Sequence, residues 1–129
     1  MKDIKIKGKI DRIDSINGVT RIIDYKTGRQ ILQSDLKIKD YDDVFSNKKY
    51  SNIFQLLFYC LAIKEDKRYD FPVESGIISF RNLDNGVIKT TFQDNSNKVT
   101  TEKLKGYKQG LGKIISDILE INIPFTEKN

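Results

Sequence analysis

The dipeptide Asn17-Gly18 constrains this chain more than any other pair of neighbours in it. Both central residues of the tight turns that join antiparallel strands need positive φ, and Asn-Gly supplies them at least cost. Alternating runs lie on either side. Residues 3–16 read as one strand, with Ile4, Ile6, Gly8 and Ile10 set against Lys5, Lys7, Lys9 and Asp11. Residues 19–27 read as its partner, stopped by Gly28. A two-residue loop pairs Ile16 with Val19, Ser15 with Thr20 and, at the far end, Asp11 with Asp24. Directly opposed residues have β-carbons about 4.5–5.5 Å apart. Lys26 lies two residues beyond Asp24 and so shares its face. On the other face Asp14 opposes Arg21, which reads as a structural cross-strand ion contact.

Two carboxylates at that separation must share a proton or take up a cation. Oxygen ligands suit a hard divalent ion such as Mg²⁺ or Mn²⁺. A lysine beside such an ion can orient a water or stabilise charge developing on a phosphate. The competing reading is an ordinary hairpin with solvated charges.

Composition narrows the chemistry. The chain has 129 residues, enough for one domain (1–129) around one core, and no histidine. The missing histidine removes Ser-His-Asp and Cys-His catalysis and histidine-based zinc sites. Cys60 is the single cysteine, so no internal disulfide and no multi-cysteine cluster forms within this sequence. Net charge is +5, compatible with a phosphate-rich partner. There is no apolar run of membrane-spanning length, no signal-peptide core and no Gly-x-x-x-x-Gly-Lys-Ser/Thr nucleotide loop. A cytoplasmic protein that binds neither membrane nor nucleotide is the expectation.

Farther along, Ser34 or Asp35 is expected to cap a short helix running toward Phe45, with a mobile connection at 46–49. Ser51 or Asn52 then caps a helix over residues 53–65, apolar nearly all round and hence buried. Phe71-Pro72 closes the loop after it. Residues 73–80 and 87–92 read as strands joined by the turn Leu83-Asp84-Asn85-Gly86. Thr100 or Thr101 caps a last helix to about Glu120. Its stripe is Leu104, Tyr107, Leu111, Ile114, Ile115, Ile118 and Leu119, weakened by Gly106, Gly110 and Gly112. Ile123-Pro124-Phe125 is expected to end the packed chain. The fold class is α/β (α+β): a mixed central sheet with helices against it.

Gln55 is one polar residue in an otherwise apolar helix, and Tyr59 lies one turn on along the same face. Gly8-x-x-Asp11, then Asp24-Tyr25-Lys26-Thr27-Gly28, then Gln55-x-x-x-Tyr59 and the ending Ile123-Pro124-Phe125-Thr126 together resemble a known pattern. The pattern is that of the RecB-type nuclease domain of the PD-(D/E)xK superfamily, found in RecBCD- and AddAB-type helicase–nucleases. The resemblance implies a restriction-endonuclease-like fold and metal-dependent hydrolysis of DNA phosphodiesters in repair or recombination. It implies Asp11, Asp24 and the backbone carbonyl of Tyr25 as ligands of Mg²⁺ or Mn²⁺, and Lys26 as the catalytic lysine. Gln55 and Tyr59 fall in the motif that lines the site beside DNA. A helicase domain or subunit is the implied partner.

Such domains usually carry a histidine or acidic ligand on a helix before the first strand, and this sequence has no histidine. The preferred expectation is a C-terminal piece of a larger protein with the further ligand upstream. The alternative is a catalytically degenerate module that binds DNA ends or a partner. No cysteine follows Cys60, so the iron–sulfur cluster of a related branch is not expected. Cys60 reads as a small core hydrophobe.

Overall fold

The computed structural model describes residues 10–121, with side chains described over 10–113. Strand β1 (Arg12–Ile16) and strand β2 (Val19–Lys26) form the hairpin, turning on Asn17 at φ 53 and Gly18 at φ 81. Their antiparallel register is the expected one, from Ile16 opposite Val19 to Arg12 opposite Ile23. The ladder stops there. Residues 3–9 of the expected first strand lie outside the described residues, and Ile10 and Asp11 are not in strand.

After β2 the chain crosses over to strand β3 (Glu74–Ser79), which pairs with β2 in parallel, Asp24 opposite Ile77. Strand β4 (Val87–Lys89) returns antiparallel on β3 and completes a sheet of order β1-β2-β3-β4. Both later strands are shorter than the apolar runs imply. Val73 and Val99 form an isolated bridge, and Thr91 bridges Lys37 instead of extending β4.

The crossover differs from expectation in its first half. A single 3-10 turn (Gln33–Leu36) follows the hairpin, and the helix near Phe45 is a separate element, α1 (Tyr41–Ser46). Its cap is Asp40, whose Oδ1 accepts from the Asp43 N–H at 2.9 Å, and not Ser34 or Asp35. Asp35 instead accepts the Leu32 N–H at 2.9 Å within the 3-10 turn. The connection at 46–49 is also built: the Asn47 side chain accepts the Lys49 N–H and starts a 3-10 turn (Lys48–Tyr50) that leads into helix α2 (Ser51–Ile63). Ser51 and Asn52 are therefore not the N-cap of α2. Tyr50 holds that position without a side-chain bond.

Helix α2 packs against β2 and β3. Ile53, Leu56, Leu57 and Cys60 join Ile22, Ile77 and Ile88 in the core. Burial pushes the Cys60 thiol up to about 12, which keeps it inert. The last helix, α3 (Thr101–Ile121), is capped by Thr100, whose Oγ1 accepts the Lys103 N–H at 3.1 Å. Leu104, Tyr107 and Leu111 are buried as the stripe requires. Its remaining members and Ile123-Pro124-Phe125 lie outside the described side chains. The glycines need a second reading. A Cβ on Gly106 would stand 3.1 Å from the Tyr41 ring, and one on Gly110 would overlap the Phe45 ring. Those two positions admit the aromatic side chains of α1 against α3. Among the described residues no helix is long and apolar enough to cross a membrane.

Candidate active site

The hairpin delivers the two carboxylates, but not as a simple cross-strand pair. One residue beyond the last pair, Asp11 turns its side chain back, and its Oδ2 accepts the Tyr25 N–H at 3.0 Å. The carboxylate thus takes a donor that a continuing β1 would have paired, which accounts for the end of the ladder. Asp11 also lies beside Asp24, and the interaction of the two side chains raises the Asp24 pKa.

Asp24 is 5% exposed, on the sheet face that carries Ile22. Burial is the main cause of its raised pKa, the interaction with Asp11 adds to it, and Lys26 opposes both. Lys26 Nζ lies 2.9 Å from Asp24 Oδ2 and donates to Gln55 Oε1 at 3.3 Å. Gln55 Nε2 in turn donates to the Tyr59 hydroxyl oxygen at 2.7 Å. Tyr59 is 2% exposed. All of the sequence-selected side chains except that of Tyr25 fall into one connected group, drawn from β2, from α2 and from the residue before β1. The Tyr25 ring points to the opposite sheet face and stacks on Phe80, centroids 5.6 Å apart.

Sequence reasoning placed Asp11, Asp24 and Lys26 together and put Gln55 and Tyr59 on one helix face. It missed the backbone bond made by Asp11 and the direct link from Gln55 to Lys26. The lone amide in an apolar helix was the available signal for that link, since a buried amide finds a partner.

On the opposite face Asp14 behaves as an ordinary ion pair. Arg21 donates to it from Nε at 2.8 Å and Nη2 at 2.7 Å, with Arg12 at 2.9 Å. The Arg21 hydrogen bonds hold the Asp14 carboxyl below its usual range. The cavity of about 270 Å³ lined by Ile38, Tyr41, Phe92 and Lys103 shares no residue with the Asp24 group.

Asp11 and Asp24 offer hard oxygen donors, a chemistry that fits a divalent cation. Among the described residues no group of three His, Cys, Asp or Glu side chains gathers at one point, so the side-chain donors here are these two. In an extended strand a residue's N–H and C=O point to one edge, as when a hydrogen-bonded pair exchanges both bonds. The Tyr25 N–H points to Asp11, so its carbonyl faces the same side.

Comparison with curated proteins and with solved structures finds no match. A family model described as the PD-(D/E)XK nuclease superfamily matches residues 2–128, nearly the whole length. With its mixed, restriction-endonuclease-like sheet flanked by helices, the chain belongs to the PD-(D/E)XK nuclease superfamily, whose members are typically metal-dependent nucleases.

Proposed function

We propose that this chain is a RecB-type, metal-dependent deoxyribonuclease module acting as an exonuclease in DNA repair or recombination. One observation carries the reading. Asp24 is buried, raised in pKa, and held between a second carboxylate and a lysine. Such an arrangement disfavours the ionised acid unless a cation joins it, and groups perturbed in this way concentrate at functional sites.

Asp11, Asp24 and the Tyr25 carbonyl would hold Mg²⁺ or Mn²⁺. A bound ion would supply a water of lowered pKa and positive charge against the scissile phosphate. The chain's own part is orientation and charge. Asp11 accepts the Tyr25 N–H through Oδ2, which fixes the carboxylate beside Asp24. Lys26 places a positive charge beside Asp24, where it can orient the attacking water or stabilise negative charge on the phosphate. DNA is the proposed substrate. A helicase domain or subunit, a cytoplasmic setting, and a further ligand upstream in a larger protein complete the proposal.

The test is cutting of linear DNA with Mg²⁺ or Mn²⁺ by the wild type and by Lys26→Ala, with circular dichroism to confirm folding. The reading expects Lys26→Ala to be inactive and folded. Equal cutting by both proteins would remove the assignment. A second reading draws on the donor set among the described residues, two carboxylates and one carbonyl. It is a degenerate module that binds DNA ends or a partner without cutting. Calorimetric titration separates the two, since the module takes up neither ion.

A further inference from the structure

Gln55 stands between a charged group and a fixed one. The lysine ammonium can only donate, so the Gln55 amide turns its oxygen to Lys26 and its nitrogen away. The nitrogen finds the Tyr59 hydroxyl, which belongs to a core-packed ring one helical turn along α2. The amide orientation is thereby set at both ends. Lysine has a long, rotamer-rich stem, and Lys26 keeps 31% of its side chain exposed. Among the described residues Asp24 and Gln55 are the acceptors that hold its head.

We propose that Gln55, oriented by Tyr59, is a positioning residue for the Lys26 ammonium and not a contact to DNA. The proposal rests on the nuclease reading in one respect, that Lys26 stands beside the reacting phosphate. Tyr59 at 2% exposure has almost no surface to offer a polymer. A carboxylate that ligates a cation has less charge left for a neighbouring lysine, whereas the neutral Gln55 oxygen keeps its full capacity to accept. With a cation on Asp24, Gln55 would be the acceptor that keeps Lys26 in place.

The test compares wild type, Gln55→Leu, Gln55→Glu and Tyr59→Phe in the full chain. Three readouts are needed: the Lys26 side-chain NMR resonance, assigned by its loss in Lys26→Arg; oligonucleotide affinity by fluorescence anisotropy; and kcat and KM for cutting. Gln55→Leu is expected to shift the Lys26 resonance, lower kcat about 10- to 100-fold and leave affinity and KM within about twofold. Gln55→Glu keeps an acceptor oxygen and restores most of kcat. Should Gln55→Leu fail to fold, Tyr59→Phe removes only a hydroxyl and carries the same readouts. An unmoved Lys26 resonance, or a tenfold loss of affinity at unchanged kcat, would overturn the proposal. Asp24→Ala is measured alongside. Wild-type cutting by that variant would sink the nuclease reading, while the Lys26 resonance, read without turnover, still decides the positioning claim.

Discussion

Asp14 and Asp24 come from the same hairpin and meet opposite fates. Asp14 is gripped by both nitrogens of one edge of Arg21 and by Arg12, and its pKa falls. Asp24 is more deeply buried, meets another carboxylate, and has one lysine that it shares with an amide; its pKa rises. The first arrangement is what stability selects. The second leaves Asp24 less well compensated than Asp14, and groups perturbed in this way concentrate at functional sites. Burial alone does not make the difference: Glu74 is also buried, but hydrogen bonds from Lys98 and Lys89 outweigh desolvation and lower its pKa.

The sharpest way to break this contrast is to delete each acid in turn. Asp24→Ala is expected to lower metal-dependent cutting about 100- to 1,000-fold or more, measured as nucleotide release from linear DNA. Asp14→Ala should leave cutting per folded molecule unchanged and cost about 1–3 kcal/mol in urea denaturation, because it strands a partly buried Arg21. Equal behaviour of the two variants in both measurements would erase the distinction. A smaller effect of opposite sign refines it. Without added metal at pH 7, Asp24→Asn should raise stability by about 1 kcal/mol in the same denaturation experiment. A loss of stability would mean that Lys26 already compensates Asp24 fully.

The smallest effect is in pH dependence, where the two acids act in different windows. Asp24 has its folded pKa above the ordinary 3.8, so its favourable contribution is complete below that value and is lost as pH rises through the raised pKa. Asp14 has its folded pKa below 3.8, so its contribution is complete above that value and is lost as pH falls through the lowered pKa. On acidification from pH 7 the advantage of Asp24→Asn over wild type should therefore vanish first. The penalty of Asp14→Ala should persist until the pH is below 3.8. Urea melts at three or four pH values read both windows.

The sequence was most legible where structure is local. Asn17-Gly18 specified the loop, and the loop specified the register, so five residue pairs follow from one dipeptide. The same logic overran its range at Asp11, because a side chain able to take the Tyr25 N–H competes with the ladder and wins there. The crossover was least legible. Ser34, Asp35, Asp40 and Asn47 are all able to cap, and local pattern does not say which backbone each will serve. In the sequence Gly106 and Gly110 look like defects of α3. Their purpose becomes visible only when the rings of Tyr41 and Phe45 are in place against them. In the candidate site the residue identities were legible and the wiring was not: no periodicity rule reports that an amide on α2 reaches a lysine on β2.

The parallel pairing of β2 with β3 has a consequence for the order of assembly. The β1–β2 hairpin closes a two-residue loop, an event of about 1–10 μs. The β2–β3 pair must wait for residues 27–73 to fold back, a non-local step that loop-closure entropy makes slow. On these grounds the two carboxylates and Lys26 are expected to meet early, as a local unit, with the carboxylates repelling each other and Lys26 attracting them before anything else is built around them. Gln55 and Tyr59 arrive later, with the helix that buries Asp24. The chain therefore gathers its charges while water still screens them and removes the water afterwards.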